Sequence, residues 1–381
     1  MPPETFFLRY TDFIRLALTA DWLTVFGGAE HVLLEMKKVF PGAPLFTTVA
    51  RRNRLDPLRH ADIRTSRLQT LYRMFPNHQW MLSLMPSAIE SLDLRGFDVI
   101  LSSSHAVGKG IIPPSDAIHI CYCHTPVRYA WEMEETYLKD FRIPKILQSP
   151  IKRRLKDLRR WDLATAKRVD LFIANSAETQ DRIRKIYGRE SVVLPPPVDS
   201  RFLDHSLSHG KKSYFLALGR LVPYKRFDVL IETANVMKFP LKIVGRGQEE
   251  ARLRALAGPT VEFAGFVPDE ELPALYAGAF ALLCPQHEDA GIVPMEAEAS
   301  GTPVIAFDQG GIRDTVEEGV TGIFFAEQSV SALGEAIRRF QNHTFNPEKI
   351  RAHARRFDAS SFQKKLEQIV RDAAKERVQR K

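Results

Sequence analysis

Pro285-Gln286-His287-Glu288-Asp289-Ala290-Gly291-Ile292-Val293-Pro294-Met295-Glu296 is the stretch on which the reading of the fold turns. It follows an apolar run, Ala279–Cys284, that reads as a buried strand. It leads into an alanine-rich segment, residues 295–300, that reads as a short helix closed by Gly301. Two carboxylates thus flank a strand-to-helix turn, Glu288 in the loop and Glu296 in the helix's opening turns. Backbone N–H groups between them point outward from the helix start, a ready site for an anion or a phosphorylated ligand. Glu296 is placed to accept hydrogen bonds from sugar hydroxyls near that anion. Taken singly, either acid reads more plainly as a solvated loop residue or a helix-start Glu favoured by the dipole.

The same alternation runs through the second half. Strands are expected at Tyr214–Leu218, Leu241–Val244, 261–264, 280–283, Val304–Phe307 and 323–325, with helices between them, for example Phe227–Met237 and 270–277. Such alternation predicts parallel βαβ units and a doubly wound sheet. The first half carries strand candidates at 14–19, 45–50, Val99–Ser104, Ile118–Cys123, Leu171–Ala174 and 192–194. A helix is expected over 29–40, and another from an N-cap at Ser149 and first-turn Pro150 to about Ala166. Pro195, Pro196 and Pro197 can neither continue a helix nor sit in mid-sheet, so the hinge is placed there. The expected division is 1–200, 201–357 and an amphipathic basic tail, 358–381.

A chain of 381 residues is long enough for two ordinary domains, and 44% hydrophobic with 26% charged residues is a globular composition. No window holds the roughly 18 uninterrupted apolar residues of a spanning helix. The start, Met1-Pro2-Pro3-Glu4, lacks the pattern of a signal peptide, and three cysteines are too few for a disulfide framework, so a cytoplasmic setting is expected. Net charge is +8. Arginines 51, 52, 54, 59, 64, 67 and 73 form one basic cluster, followed by Trp80, Met81, Leu82, Leu84 and Met85; Lys145, Lys152, Arg153, Arg154, Lys156, Arg159 and Arg160 form another. These read either as solvated faces or as a surface that rests on anionic lipid, each placed basic residue worth roughly 1 kcal/mol. Charge alone also admits nucleic acid, but no reading motif accompanies it.

Several strand ends carry candidate chemistry. Gly27-Gly28 lies between the first strand and the first helix, where glycine allows close backbone approach or a positive φ. Pro126 excludes Thr125 from helical geometry, which puts His124 at a carboxyl sheet edge, where open α/β sheets bind ligands. Cys121 and Cys123 share a face beside it, but no second ligand pair at zinc spacing follows. Arg220 and Lys225 lie between a strand and a helix, two cations suited to a diphosphate. Gly245 and Gly247 make a G-x-G that lacks the third glycine of a nicotinamide-cofactor fingerprint.

Together these segments resemble the retaining glycosyltransferases of the GT-B fold, glycosyltransferase family 4, over nearly the whole chain and more loosely in residues 51 to 95. The resemblance rests on Glu288 and Glu296 with seven residues between, on Gly219-Arg220 to Lys225, on His124-Thr125-Pro126 with Arg128, Tyr129 and Trp131, and on Gly27-Gly28-Ala29-Glu30. It is closest to the mannosyltransferases of O-antigen and exopolysaccharide assembly, whose motif usually reads E-D-F-G-I-V-P-x-E; here Ala290 replaces the Phe.

The resemblance implies two Rossmann-like domains facing a central cleft and a last helix that crosses back to the first domain. It implies that Arg220 and Lys225 hold the donor's phosphates, that Glu296 grips the ribose and that Glu288 orients the sugar. His124 would reach the donor sugar or help place the acceptor. Gly28 would face the ligands from the first loop, with Ala290, Gly291, Ile292 and Val293 along the donor loop. Gly245 and Gly247 would close the nucleotide pocket, and the loop with Phe266 and Val267 would face the base. The implied reaction is metal-independent transfer of a hexose with retention, GDP-mannose being the favoured donor. The implied acceptor is a lipid-linked saccharide at the inner face of the cytoplasmic membrane. A UDP-sugar donor, or an epimerase or phosphorylase on the same fold, are the alternatives; product formed from donor alone would mark the epimerase.

Overall fold

The computed structural model describes residues 14–131, 145–204 and 212–379. The chain divides into two compact units, Met1–Pro195 with Gln363–Lys381, and Pro196–Phe362. The division falls after Pro195 and Phe362 rather than at residues 200 and 357. Val198 bridges to Asp358, and Phe202 is buried in the core of the second unit, so residues 196–200 go with that unit.

The first unit is a seven-stranded parallel sheet: β1 Leu16–Ala20, β2 Leu45–Thr47, β3 Ile63–Thr65, β4 Val99–Ser104, β5 Ile118–Cys123, β6 Leu171–Ala174 and β7 Ser191–Val193. Its order is β3-β2-β1-β4-β5-β6-β7. The second is a six-stranded parallel sheet: β8 Tyr214–Leu218, β9 Leu241–Val244, β10 Val261–Gly265, β11 Ala279–Cys284, β12 Val304–Phe307 and β13 Gly322–Phe325, in order β10-β9-β8-β11-β12-β13. Each sheet is doubly wound, as the strand–helix alternation requires. The central strands β8, β11 and β12 read as continuous apolar runs because both faces are covered. In β8, Phe215 and Ala217 enter one core with Leu230 and Ile337, while Leu216 points to the opposite core with Tyr276 and Met295.

The last helix, Ala359–Gln379, buries Leu366, Val370 and Ala374 in a single apolar stripe. Its Gln363 donates to Glu35 (2.6 Å) and its Arg377 to the carbonyl of Ser115 (2.8 Å), both in the first unit.

Two helix starts differ from expectation. The helix Lys145–Ala166 contains Pro150 rather than beginning at it, so Pro150 forgoes one intrahelical hydrogen bond. The helix after β11 is Ile292–Ala299, three residues earlier than expected, because Gly291 adopts a left-handed φ of 67° as its N-cap and lets the turn close sooner. Neither Gly27 nor Gly28 has a positive φ; Gly27 is extended and its N–H donates to Glu30 (3.0 Å). Gly310-Gly311 opens a short 3-10 turn, Gly311–Asp314.

Candidate functional site

Each sheet reverses its strand order once, between β1 and β4 and between β8 and β11. At such a reversal the adjoining strand-to-helix loops diverge and open a crevice at the carboxyl ends, where α/β sheets take their ligands. In the second unit the loop after β8 carries Arg220 and Lys225, and the loop after β11 carries Glu288. The structure joins two of these: Lys225 Nζ donates to Glu288 Oε1 at 2.6 Å, and Gln286 Nε2 donates to the same oxygen at 3.0 Å. Lys225 is buried. Burial works to lower its pKa, but the charge and hydrogen bond of Glu288, helped by Tyr224 and Cys284, together outweigh this, so the net shift is upward and the ammonium keeps its proton. Arg220, on the same loop, is exposed, and among the described residues its guanidinium has no partner.

Glycines draw the strand ends together beneath this pair. Gly219 donates to the carbonyl of Val244, Leu221 to that of Arg246 (both 3.0 Å) and Gly245 to that of Gly265 (2.7 Å). A Cβ on Gly245, whose φ is +132°, would stand 1.9 Å from the Gly219 carbonyl oxygen, and one on Gly247 would stand 2.2 Å from that of Leu221. The G-x-G therefore has a packing reason of its own: it lets two loops touch backbone to backbone. The donor loop is tied in the same way. Gly311 N–H donates to the Glu288 carbonyl at 2.8 Å, and a Cβ on Gly310 would stand 2.3 Å from that oxygen. Ala290 is buried, and Ile292 and Val293 are half-buried along the helix start.

Glu296, the fifth residue of its helix, accepts from the Tyr276 hydroxyl at 2.9 Å. Removal from water pushes its carboxyl up to about 8, while the Tyr276 hydrogen bond works to lower it. The shift favours the neutral acid, which can donate as well as accept. Phe266, 68% exposed, stands beyond the end of edge strand β10 with Val267 half-buried beside it. His124 and Gly28 belong to the first unit. His124 Nε2 lies 2.8 Å from Ser103 Oγ, and burial lowers its pKa to about 3, so the ring is neutral. Cys121, Cys123 and Cys284 are buried free thiols, and among the described residues no three His, Cys, Asp or Glu side chains gather as a metal site.

Tyr276 and Gln286 were not legible as site residues. Gln286 had a usable signal, standing two residues before Glu288 in an extended segment and so on the same side. Tyr276 had none, because its contact with Glu296 spans separate helices.

Comparison with known proteins agrees with this fold. Residues 26–202 match the family Glycosyltransferase Family 4, and residues 200–377 match Glycosyl transferases group 1. The chain thus carries one glycosyltransferase domain of each kind. A mannosyltransferase of Mycobacterium tuberculosis, the GDP-mannose-dependent alpha-(1-6)-phosphatidylinositol monomannoside enzyme, is 33% identical over 198 residues, 44% of this chain and 51% of that protein. A glycogen synthase of Thermodesulfovibrio yellowstonii is 31% identical over 222 residues, 55% of this chain and 43% of that protein. The match thus spans about half the length of each relative. The structure of Anabaena HepE in complex with UDP superposes with a TM-score of 0.69 at 19% identity, covering 94% of this chain and 100% of that one, which shows a shared GT-B fold.

Proposed function

We propose that the protein transfers a hexose from a nucleoside diphosphate sugar to a saccharide acceptor, with GDP-mannose the favoured donor. The favoured acceptor is a lipid-linked saccharide of cell-surface polysaccharide synthesis. One observation carries the reading: at the reversal of the second sheet, buried Lys225 pairs with Glu288 at 2.6 Å, over a glycine floor and next to a helix N-terminus. Breaking a sugar–phosphate bond leaves a diphosphate with growing negative charge. Lys225, the unpartnered Arg220 and the helix N–H groups stabilise that charge as it forms, without a metal. Glu288, already fixed by Gln286, orients the sugar as Lys225 turns to phosphate. Glu296 exchanges its bond to Tyr276 for the ribose hydroxyls, and Phe266 stacks on the base. The neutral ring of His124 hydrogen-bonds to the sugar. Transfer proceeds with retention, by attack on the face from which the diphosphate leaves.

The mannosyl relative supports GDP-mannose. A second reading keeps the chemistry and changes the donor to a UDP-sugar; the UDP bound to HepE supports it. A thermal-shift panel of GDP-mannose, UDP-glucose and other nucleotide sugars decides between them. The largest shift is expected with GDP-mannose. A larger one with a UDP-sugar transfers the assignment, and no shift with any of them removes the donor site.

The acceptor's lipid calls for a membrane surface. Leu71 is exposed within the basic stretch 51–73, and Met74, Phe75, Trp80 and Leu84 are exposed just after it, whereas Met81 and Met85 turn inward to the core. Arg52 is partly engaged by the carbonyls of Arg59, Ala61 and Ile63. The side chain of Lys145 lies outside the described residues, and no described helix is long and apolar enough to cross a membrane. Replacing Trp80, Arg51 and Arg54 by Ser is expected to lower binding to phosphatidylglycerol vesicles by roughly 1 kcal/mol per basic residue; undiminished co-sedimentation would leave this face as ordinary surface.

A further inference from the structure

The helix that carries Glu296 holds a second buried acid for which donor binding has no use. Glu298 is fully buried; two residues further along the helix Ile292–Ala299, it faces away from Glu296. Its Oε2 lies 3.1 Å from Nδ1 of His353, on the helix Pro347–Ala354. The side chain of His353 is 11% exposed. Its Nε2 is buried without a hydrogen-bond partner among the described residues, 3.5 Å from Oε2 of Glu317. Glu317 stands in the turn after the 3-10 segment Gly311–Asp314, whose first N–H holds the Glu288 carbonyl. One imidazole thus lies between the helix of Glu296 and the segment that supports Glu288.

Its neighbours already clasp both elements. Arg351 Nε donates to the carbonyl of Ala299 (3.1 Å), and Arg356 Nη2 donates to those of Asp314 (2.9 Å) and Thr315 (3.3 Å). Arginines suffice for a clasp, and apolar side chains would pack these elements at lower cost than a buried acid and base. What the pair adds is a proton. Burial pushes the Glu298 carboxyl up, against the hydrogen bond and charge of His353, with Thr321 and Arg356 acting in the same sense as His353. A contact between an imidazole nitrogen and a carboxyl oxygen needs one proton, whichever group owns it. A second proton goes to Nε2, and the carboxylate it then faces is Glu317. On its own stretch of chain the charged neighbours of His353 are Arg356 and, one turn back, exposed Lys349; Arg351 is turned to Ala299 and feels Arg355 and Asp204.

We propose that His353 is a positioning residue for the donor and ties donor affinity to pH. With Nε2 bare, the ring holds the Glu296 helix alone. With a proton on Nε2 it bridges Glu298 and Glu317, the exposed Glu317 side chain closing the 3.5 Å gap to hydrogen-bond range. Both arms of the donor site are then seated before the donor arrives, which removes part of the ordering cost of binding. The role exists only if the nucleotide-sugar reading of this site holds, and the experiment separates the two.

GDP-mannose and UDP-glucose, whose diphosphate is esterified at both ends and does not titrate between pH 6 and pH 8, are titrated calorimetrically into the parent, His353→Gln and Glu317→Gln at both pH values. For the nucleotide sugar that binds, the parent is expected to gain about fivefold in affinity from pH 8 to pH 6 beyond any change in the two variants. Glu296 titrates in all three proteins and cancels in the comparison. Parent and Glu317→Gln are expected to agree at pH 8. Glu317 is 57% exposed, so Glu317→Gln is read even if His353→Gln does not fold. Linkage requires the converse: saturating nucleotide sugar should raise the fraction of His353 rings protonated at Nε2 at pH 7, read from nitrogen-15 ring signals. The same pH dependence in the parent and either variant overturns the proposal, as does a ring whose proton occupancy ignores the ligand. Either result with a nucleotide sugar bound discards the coupling and keeps the donor site. No binding of either nucleotide sugar by any of the three proteins discards the donor site, and the coupling with it.

Discussion

At the reversal of each sheet the chain sets an acid against a base, and the two pairs are built inside out. In the second unit the base is hidden and the acid is in view: the side chain of Lys225 is 10% exposed and that of Glu288 21%. In the first unit the acid is sealed at 1% and the imidazole of His105 is 33% exposed. A flexible ammonium can leave a carboxylate to meet phosphate, so Lys225–Glu288 is a pair made to be opened. Asp21, which opens the loop after β1 and is held by the N–H groups of His105 (2.7 Å) and Ala106 (3.2 Å) as well as by the His105 ring, has nowhere to go. The comparison separates a charge kept in reserve from a ring kept in place.

Removing Lys225 should have the largest effect. Lys225→Ala is expected to cost about 2–3 kcal/mol in nucleoside diphosphate affinity, because a charge-assisted hydrogen bond to phosphate is lost. The melting temperature should fall little, since Glu288 can turn to water; calorimetric titration with unchanged affinity would break the contrast. Asp21→Asn should act on the fold instead. We expect a loss of about 2 kcal/mol at pH 7 as an amide replaces a carboxylate that takes several donors. The sign follows from the depressed pKa of Asp21: its contribution is full above the unfolded carboxylate value and is lost as pH falls toward the native one. Denaturant titrations at pH 7 and pH 3 should therefore show a gap between parent and variant that shrinks in acid.

Glu296 should act with the opposite sign, on the pH dependence of stability. Its native pKa lies near 8, against an ordinary value of 4.5. The unfolded chain releases this proton first, so the native state loses ground as pH rises from about 4.5 to 8. Glu296→Gln should leave the melting temperature unchanged at pH 4.5 and raise it relative to the parent at pH 8.5. No pH dependence of that difference would mean that Tyr276 faces an already ionised carboxylate.

What the chain revealed in advance follows from what periodicity can encode. Strands β4, β5, β6, β8, β9 and β12 were legible to the residue, because a strand covered on both faces is mostly apolar, even where β4 ends in Ser102, Ser103 and Ser104 and β9 carries Lys242. Edge strand β3 was not: only Ile63 of its three residues is buried, and a single apolar residue makes no pattern. The short helices Leu68–Met74 and Met85–Glu90 escaped for want of two full turns. At the site, Arg220, Lys225, Glu288 and Glu296 were legible as residue types at strand-to-helix junctions. The pairing of Lys225 with Glu288 and the partner of Glu296 were not, because these contacts form only once the chain is folded; the same holds for Asp21 and His105 in the first unit.

The glycine contacts beneath the donor loops limit how this protein can change. Positions 245, 247, 310 and 311 admit no larger residue without separating backbones that touch. A descendant that adopts a different sugar nucleotide must therefore keep the platform and redraw only what projects from it, chiefly the side chain at 266. Diversity of substrate would then collect in a few protruding positions over a base that natural selection leaves untouched.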